Sequence, residues 1–226
     1  MAKKAQSIVL LSGGLDSVVA LTLTLKHSLV KLALTFNYGQ RAAGKEIRAA
    51  RKICSALRVP HQVVRLPWLK ALGGSALTDE SRKLPGPSRL TESICRKTAK
   101  SVWVPGRNTV FISIALAYAE ALKCSRIVAG LNREEGATFP DNSAAYADAM
   151  NGALREAASG AITLDCPLIK LNKVQIMKSA RRIGAPVKQV WPCYDGGAKL
   201  CWRCESCLRF KRALVESGNW QWYTGK

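Results

Sequence analysis

The chain has 226 residues, of which 48% are hydrophobic, and both values are typical of one α/β domain with a small appendage. No apolar stretch approaches the length of a membrane span and the N-terminus does not resemble a signal peptide, so membrane and secreted classes are disfavoured and a cytoplasmic location is predicted. The net charge of +20, from 35 Lys and Arg against 15 Asp and Glu, favours anionic partners such as nucleotides, nucleic acid or an acidic protein.

Strand and helix patterns alternate along the chain. Strands are predicted over residues 7–11, 29–37, 61–66, 126–131 and 161–164. Helices are predicted over residues 16–27, 44–57, 110–122, 143–158 and 172–183. Between residues 67 and 102 the pattern fails, and glycines, prolines and mixed charges predict an irregular insertion. The alternation predicts a five-stranded parallel sheet with helices on both faces, whose ligands bind beyond the carboxyl ends of the strands.

The string SGGLDS at residues 12–17, here called the SGGLDS loop, joins the first predicted strand to the first predicted helix. Its two glycines allow the backbone to approach an anion, and the helix start directs free N–H groups at it. Its serines add hydroxyl donors. Asp16 would repel a bare phosphate, so its presence indicates a bridging metal ion. The loop predicts a nucleotide phosphate site with Mg²⁺, although the same residues also form ordinary capped turns.

A second string, at residues 39–46, nearly matches the glycine-rich phosphate loop G-x-x-x-x-G-K-[ST]. It ends in Glu46, where that loop has a hydroxyl that holds Mg²⁺. Because a carboxylate at this position would face phosphate, we reject the string as a nucleotide site.

Four of the eight cysteines lie close together near the end of the chain. They are Cys193, Cys201, Cys204 and Cys207. A C-x-x-C turn lets two thiolates bind one metal ion, and four cysteines predict a closed tetrahedral site with structural Zn²⁺. An iron–sulfur cluster and a redox or sulfur-carrying role are the alternatives. The predicted organisation is an ATP-binding α/β domain over residues 1–190 and a zinc-binding segment over residues 191–226, packed on the same domain.

Three further strings follow predicted strands or precede a helix: NYGQR at residues 37–41, VPGRN at 104–108 and FPDNS at 139–143. Each combines a residue that restricts the backbone with hydrogen-bonding side chains, which suits recognition of a polar planar ligand. Together with the SGGLDS loop and the four cysteines, in this order, they resemble the 7-cyano-7-deazaguanine (preQ0) synthase family of the ATP pyrophosphatase (PP-loop) superfamily. The resemblance covers about residues 7–211.

This resemblance implies an adenine-nucleotide hydrolase-like fold and an enzyme of queuosine biosynthesis. The family is a carbon–nitrogen ligase that converts 7-carboxy-7-deazaguanine and ammonia to 7-cyano-7-deazaguanine with ATP. The carboxylate is adenylated and becomes an amide, and the amide is adenylated and becomes the nitrile. The resemblance also implies a homodimer.

The resemblance assigns roles to individual residues. The ATP-binding residues would be Leu11, Ser12, Gly13, Gly14, Leu15, Asp16, Ser17 and Val18. Those that act in catalysis would be Asp16, Arg107 and Lys173, with Asp16 holding Mg²⁺ and Arg107 the candidate cation beside the reacting carboxylate. Lys170 and Lys173 are the alternates for that cation. The residues that bind the base would be Tyr38, Gln40, Arg41, Arg107, Asn108, Phe139 and Asp141. Phe139 or Tyr38 would stack on the base. Asp141 would accept from its N1–H and 2-amino groups, or would instead serve as an ordinary loop or helix cap.

The chain departs from the family pattern at three places. Ala42 stands where a His often follows NYGQR, FPDNS replaces a common GYPDCR form, and Trp202 replaces a usual Gly between the clustered cysteines. These departures concern details of substrate contact more than the fold.

Basic side chains recur on one face of the second predicted helix and around the cysteine cluster. They are Arg41, Lys45, Arg48 and Lys52, and Arg203, Arg209, Lys211 and Arg212. They predict nonspecific contact with nucleic acid or an acidic protein, or simply a solvated surface.

Three other functions remain open at the level of sequence. One is a ligase that attaches an activated deazaguanine to an amine of a protein or nucleic acid. Another is a PP-loop tRNA-thiolation enzyme, for which Cys166 is the cysteine near the predicted ligand edge. The third is a zinc-containing nucleic-acid module without enzymatic activity.

Overall fold

The computed structural model describes residues 4–225, with the side chain of Glu92 excepted. The strands are β1 (Ala5–Leu10), β2 (Ser28–Asn37), β3 (His61–Arg65), β4 (Arg126–Val128) and β5 (Thr163–Asp165). The helices are α1 (Leu15–His27), α2 (Ala43–Leu57), α3 (Pro67–Ala71), α4 (Glu92–Val102), α5 (Arg107–Ala121), α6 (Arg133–Gly136), α7 (Ala144–Ala157), α8 (Lys173–Ile183), α9 (Glu205–Glu216) and α10 (Trp220–Thr224). Short 3₁₀ turns occupy Pro140–Asn142 and Val187–Gln189.

The strands form one five-stranded parallel sheet in the order β3-β2-β1-β4-β5, as predicted. The chain moves outward in one direction from β1 to β3 and then returns to the other side of β1 with β4. The carboxyl ends of β1 and β4 therefore border the crevice where the strand order reverses, which is where open α/β sheets bind ligands. The SGGLDS loop leaves β1 at this crevice.

Both faces of the sheet are buried, which explains the continuous apolar runs in its central strands. Successive residues of β1 point to opposite faces. Ile8 packs in the core beneath α5 and α7. Val9 packs in the core beneath α1, α2 and α8.

The insertion at residues 67–102 was predicted to be irregular, and this prediction is wrong in part because it contains α3 and α4. Pro67 starts α3, where its fixed φ and missing N–H match a first helical turn. The insertion also packs on the cysteine segment. Pro85 O accepts from the N–H of Glu205 at 3.2 Å, and Thr98 donates to the Glu205 carboxylate.

The C-terminal segment adds α9 and α10, neither of which was predicted. Phe210, Ala213 and Leu214 of α9 belong to the same core as α1 and α8. A boundary at residue 190 therefore does not separate two hydrophobic cores. The predicted division into residues 1–190 and 191–226 stays a prediction, and its outer limits, residues 1 and 226, lie outside the described residues. Within residues 4–225, no helix combines the length and apolarity needed to cross a bilayer.

Candidate active site

A cavity of about 270 Å³ lies at the crevice between β1 and β4. Most of the SGGLDS loop lines it. The other predicted residues that line it are Tyr38, Gln40, Arg107, Asn108, Phe139 and Lys173. Residues from the NYGQR, VPGRN and FPDNS strings thus meet the predicted phosphate loop at one site. Arg107 and Asn108 do so from the first turn of α5, which begins earlier than the helix predicted from residue 110.

Five predicted residues lie elsewhere, judged over the described part of the chain, and one of them, the alternate cation Lys170, is exposed. Val18 belongs to α1, and its side chain is fully buried in the core that α1 shares with α2 and α8. Gly13 turns toward α2, where an added Cβ would lie 2.8 Å from the carbonyl oxygen of Glu46. Arg41 lines a separate cleft beside Cys201. Asp141 is outside the lining of the cavity, while its neighbours Phe139 and Asn142 are within it.

Hydroxyl groups close the SGGLDS loop on itself. The Ser17 hydroxyl accepts from the N–H of Ser12 at 3.2 Å and donates to Gly14 O at 3.1 Å. The Ser12 hydroxyl accepts from the N–H of Gly14 at 3.3 Å. The serines thus shape the loop, and the free N–H groups of the first turn of α1 are the donors that its geometry offers to an anion.

Glycine is required where β4 approaches this loop. A Cβ on Gly130 would lie 2.8 Å from Ser17 N and 2.9 Å from the carbonyl carbon of Asp16. Any larger residue would push the start of α1 away from β4. Gly130 therefore permits the close backbone packing on which the crevice depends.

Lys173 joins two carboxylates of the cavity. Its Nζ contacts the carboxylate of Asp16 and lies 2.6 Å from Glu135 Oε1, and the lysine side chain is only 8% exposed. Although burial opposes its charge, the two carboxylates raise the pKa of Lys173 and keep it protonated. Burial raises the pKa of Asp16 to about 6 against the attraction of Lys173, with the nearby Glu135 and Glu134 carboxylates adding to the rise.

The second oxygen of Asp16 is available to a metal ion. Oδ1 is buried and has no hydrogen-bond partner among residues 4–225. An unsatisfied buried oxygen costs about 1–3 kcal/mol. Mg²⁺ is commonly held by one or two carboxylates together with phosphate oxygens, so Asp16 fits a ligand of a nucleotide-bound Mg²⁺.

Aromatic rings and a guanidinium form another wall of the cavity. Phe36 and Phe111 stack with centroids 4.0 Å apart, and Tyr38 lies 5.7 Å from Phe111. Arg107 donates from Nη1 to the Tyr38 hydroxyl at 3.3 Å. Phe139 also lines the cavity. The wall offers a flat apolar surface with one fixed positive charge at its edge.

Gln40 is fully engaged by the protein. Its Oε1 accepts from the N–H of Tyr38 at 3.0 Å, and its Nε2 donates to Phe36 O at 3.0 Å and to Glu46 Oε2 at 2.8 Å. Its amide therefore positions Glu46 and the end of β2.

Arg41 holds the insertion in place. Its guanidinium donates to Asp79 O at 2.6 Å and also to Arg82 O. Because these carbonyls belong to the insertion, Arg41 ties residues 79–82 to the end of the NYGQR string, away from the cavity.

The four clustered cysteines have the spacing of a metal site. Their sulfur atoms all lie within 4.8 Å of one another, and the Cys193–Cys204 and Cys201–Cys207 pairs are both 3.9 Å apart. Four thiolates about 2.3 Å from one zinc ion would lie about 3.8 Å apart. Backbone N–H groups of Asp195 and Cys204 donate to the sulfurs of Cys193 and Cys201, as expected for thiolates. The cluster could hold one metal ion.

Trp202, which lies between two of these cysteines, has φ +54°. This left-handed conformation costs a non-glycine residue about 1–2 kcal/mol. The indole packs on Phe210, Trp220 and Tyr223, with ring centroids 5.7–6.4 Å away. The aromatic contacts offset the strain.

A network of buried charges connects the cysteine segment to the cavity. Arg209 contacts Glu205 Oε1 at 2.7 Å and Glu134 Oε1 at 2.6 Å, while Arg212 contacts Glu134 Oε2 at 2.6 Å. Glu134 also accepts from the backbone N–H of Lys173 at 3.2 Å. The network ends one residue before Glu135, which faces the cavity.

These contacts correct the predicted basic surface. Arg209 and Arg212 form ion pairs within the protein, and Arg41 binds carbonyls of the insertion. Lys45 lies 5.0 Å from the ring centroid of Trp191. The predicted residues that remain exposed are Arg48, Lys52, Arg203 and Lys211.

The comparison with known families decides where the chain belongs. The model of the queuosine biosynthesis protein QueC family matches residues 6–218. The chain belongs to this family. It is 45% identical over 216 residues to the 7-cyano-7-deazaguanine synthase of Pelotomaculum thermopropionicum, covering 94% of this chain and 98% of that protein. It is 44% identical over 221 residues to the 7-cyano-7-deazaguanine synthase of Bdellovibrio bacteriovorus, covering 96% of each. The resemblance stated from the sequence is confirmed.

Solved structures show the same fold at low identity. The U34-tRNA thiolase NcsA from Methanococcus maripaludis aligns with a TM-score of 0.52 and 17% identity, over 99% of this chain and 71% of that one. The likeness confirms the predicted PP-loop type of fold.

Sequence reasoning missed several residues of the cavity. Glu46 lies in the string at residues 39–46, which we rejected as a phosphate loop because of its carboxylate. That carboxylate was the signal that could have indicated a different role in the site. Gly130 and Glu135 follow β4 at the ligand edge, where a glycine and an acidic pair could have been noticed. Trp191, whose N–H donates to Gly13 O at 2.9 Å, is brought there by tertiary contacts and has no local signal.

Proposed function

We propose that this protein converts 7-carboxy-7-deazaguanine to 7-cyano-7-deazaguanine with ATP, Mg²⁺ and ammonia. The observation that carries the proposal is the single cavity in which the SGGLDS loop meets the aromatic wall and Arg107. Such a cavity can hold an activated nucleotide beside a planar base. The family relationship specifies which base.

The reaction requires two oxygens of a carboxylate to leave. Hydroxide is a poor leaving group, whereas AMP is a good one. Attack of the carboxylate on the α phosphate of ATP releases pyrophosphate, and ammonia then displaces AMP to give the amide. The amide oxygen then attacks the α phosphate of a second ATP and releases a second pyrophosphate. Loss of AMP and of both amide protons leaves the nitrile, so each departing oxygen leaves in AMP.

The residues of the cavity can divide this work. N–H groups at the start of α1 bind the departing pyrophosphate, and Asp16 would hold Mg²⁺, which would neutralise phosphate charge. Lys173 fixes the Asp16 and Glu135 carboxylates. Arg107 orients the reacting carboxylate, and Tyr38 or Phe139 stacks on the base. We retain Asn108 as a contact at the edge of the base and assign Gln40 to positioning Glu46.

The four-cysteine site is proposed to hold structural Zn²⁺. Its closed set of four thiolates leaves no position for substrate, and its role would be to fix the start of α9. Neither a homodimer, a cytoplasmic location nor nonspecific nucleic-acid contact through the exposed basic residues is tested by the fold, and all three stay predictions.

The environment of the Cys166 thiol disfavours the alternative of a tRNA-thiolation enzyme. Its side chain is packed against the core beneath α5 and α7, and burial raises the pKa of its thiol to about 12. Sulfur transfer by a cysteine uses the thiolate, so the raised pKa of the Cys166 thiol disfavours it for this role.

The test is to incubate the purified protein with 7-carboxy-7-deazaguanine, ATP, MgCl₂ and ¹⁵N-ammonium, and to follow mass. The expected products are ¹⁵N-nitrile, AMP and pyrophosphate. Accumulation of amide alone, or a mass added to protein or RNA, would favour the ligase alternative. Absence of AMP under these conditions would overturn the proposal.

A further inference from the structure

The cavity contains three carboxylates that differ in their partners. Asp16 and Glu135 are both held by Lys173. Glu46 also lines the cavity, yet within residues 4–225 it forms no ion pair. It is the cavity carboxylate that is not already committed to a lysine or arginine.

Glu46 is held in place through one oxygen. Oε2 accepts from Gln40 Nε2 at 2.8 Å, and Gln40 is itself fixed by Phe36 and Tyr38. Oε1 has no hydrogen-bond partner in the described part of the chain. A carboxylate has about four acceptor positions. The arrangement therefore presents an oriented acceptor with capacity left for a ligand.

The substrate class supplies matching donors. A guanine-like base carries N1–H and a 2-amino group side by side, and an ionised carboxylate can accept from both. We propose that Glu46 binds this edge of the base and determines its specificity. The inference rests on the proposed function, because it takes the base to be a 7-deazaguanine.

Asp141 is the other acidic residue considered for this role. It does not line the cavity, its Oδ1 accepts from Asn142 Nδ2 at 3.1 Å, and its carbonyl oxygen accepts from Asn108 Nδ2 at 3.1 Å. Its contacts stabilise the 3₁₀ turn that places Phe139 and Asn142. The structure thus moves the acceptor from Asp141 to Glu46.

The surroundings of Glu46 also imply a pH dependence. Gln40, Arg107 and Tyr38 face it. Burial raises the pKa of Tyr38, and the pKa of Arg107 is also raised by its neighbours, Tyr38 first among them. Tyr38 therefore stays neutral and Arg107 stays positively charged near neutral pH. Burial raises the pKa of Glu46 to about 7, against the opposing effects of Gln40 and Arg107. Only the ionised form accepts both donors, so affinity for the base should rise between about pH 6 and pH 8.

The experiment measures binding by calorimetry with the whole protein. Its probes are 7-carboxy-7-deazaguanine and the analogue that lacks the 2-amino group, and the variant is Glu46→Gln. Glutamine keeps the acceptor for Gln40 and loses the charge. The expected result is about 10- to 100-fold weaker binding of the full base at pH 8, with little discrimination against the analogue and a flat pH response. ATP affinity should be unchanged.

Two further variants complete the test. Glu156→Gln, the same substitution on an exposed residue of α7, should match the wild type in every measurement. Asp141→Asn should retain discrimination against the analogue. If Glu46→Gln binds both probes as the wild type does, the role of Glu46 is overturned. If instead the wild type binds neither probe and forms no AMP with ammonium and ATP, it is the proposed function that fails.

Discussion

Arg209 of α9 donates from Nη1 to Glu134 Oε1 at 2.6 Å, and this contact joins the helix that carries Cys207 to the residue beside Glu135. The cysteine segment is thus coupled to the cavity by charge as well as by packing. Both partners are largely buried, with 7% of the Arg209 side chain and 15% of the Glu134 side chain exposed.

Replacement of Arg209 should destabilise the fold strongly. Arg209→Met leaves Glu205 and part of Glu134 unpaired in a buried site, and removal of one member of a buried ion pair costs about 3–5 kcal/mol. Urea unfolding measures the change, and Lys211→Met, on an exposed residue of the same helix, is the control. A loss below about 1 kcal/mol, the value typical of exposed pairs, would contradict the importance of this contact.

Removal of a clustered cysteine should remove the metal. Wild-type protein is expected to contain one zinc ion per chain by elemental analysis, and Cys204→Ala is expected to contain none and to unfold at a lower temperature. Cys54→Ala changes a buried cysteine outside the cluster and should keep its zinc. Iron and sulfide with visible absorbance in the wild type would point instead to an iron–sulfur cluster.

Lys173 should be essential for turnover. Lys173→Met leaves the Asp16 and Glu135 carboxylates facing each other and removes a cation from the cavity, and we expect AMP formation to fall by about 100- to 1,000-fold. Lys170→Met is the control, because Lys170 is exposed and lies outside the cavity lining in the part of the chain that is described. Equal rates for the two variants would contradict the role of Lys173.

Glu46 should lower the stability of the protein at alkaline pH. Burial raises its pKa from 4.5 to about 7, so the folded state holds this proton more tightly than the unfolded state. The resulting stabilisation is complete below about pH 4.5 and is lost as pH rises through about 7. Glu46→Gln should therefore unfold at a higher temperature than the wild type at pH 8, and the difference should shrink as the pH falls and disappear below about pH 4.5. A constant difference between pH 5 and pH 8 would be inconsistent with a titrating Glu46.

Trp202 provides a test of backbone strain against packing. Loss of the large aromatic side chain lowers the free energy of unfolding by about 3–5 kcal/mol in either variant. Only glycine adopts the left-handed conformation without strain, so the glycine variant recovers about 1 kcal/mol of this loss. Both Trp202→Ala and Trp202→Gly should be destabilised in urea, the alanine variant by about 1 kcal/mol more. A glycine variant less stable than the alanine variant would show that φ +54° carries no strain here.

The sequence by itself determined the parallel sheet, the glycine turn of the SGGLDS loop, the cysteine cluster and the family. These features depend on residues that are neighbours along the chain. Apolar runs and glycine turns form locally, and cysteines separated by two residues can bind one metal whatever the rest of the fold does. For the same reason, the strings SGGLDS, NYGQR and VPGRN were recognisable before any contact was known.

Only the tertiary structure decided which polar side chains face the cavity. Asp141 and Arg41 belong to the FPDNS and NYGQR strings, which contribute other residues to the cavity. The direction of a side chain, however, depends on the turn that holds it. Asp141 is hydrogen-bonded to Asn142, and Arg41 reaches the insertion. Lys173 meets Asp16 across 157 positions of sequence, and Glu46 becomes an oriented acceptor only because Gln40 is fixed by the end of β2. Burial, charge pairing and the competition for hydrogen bonds are properties of the packed molecule, so no local pattern could assign them.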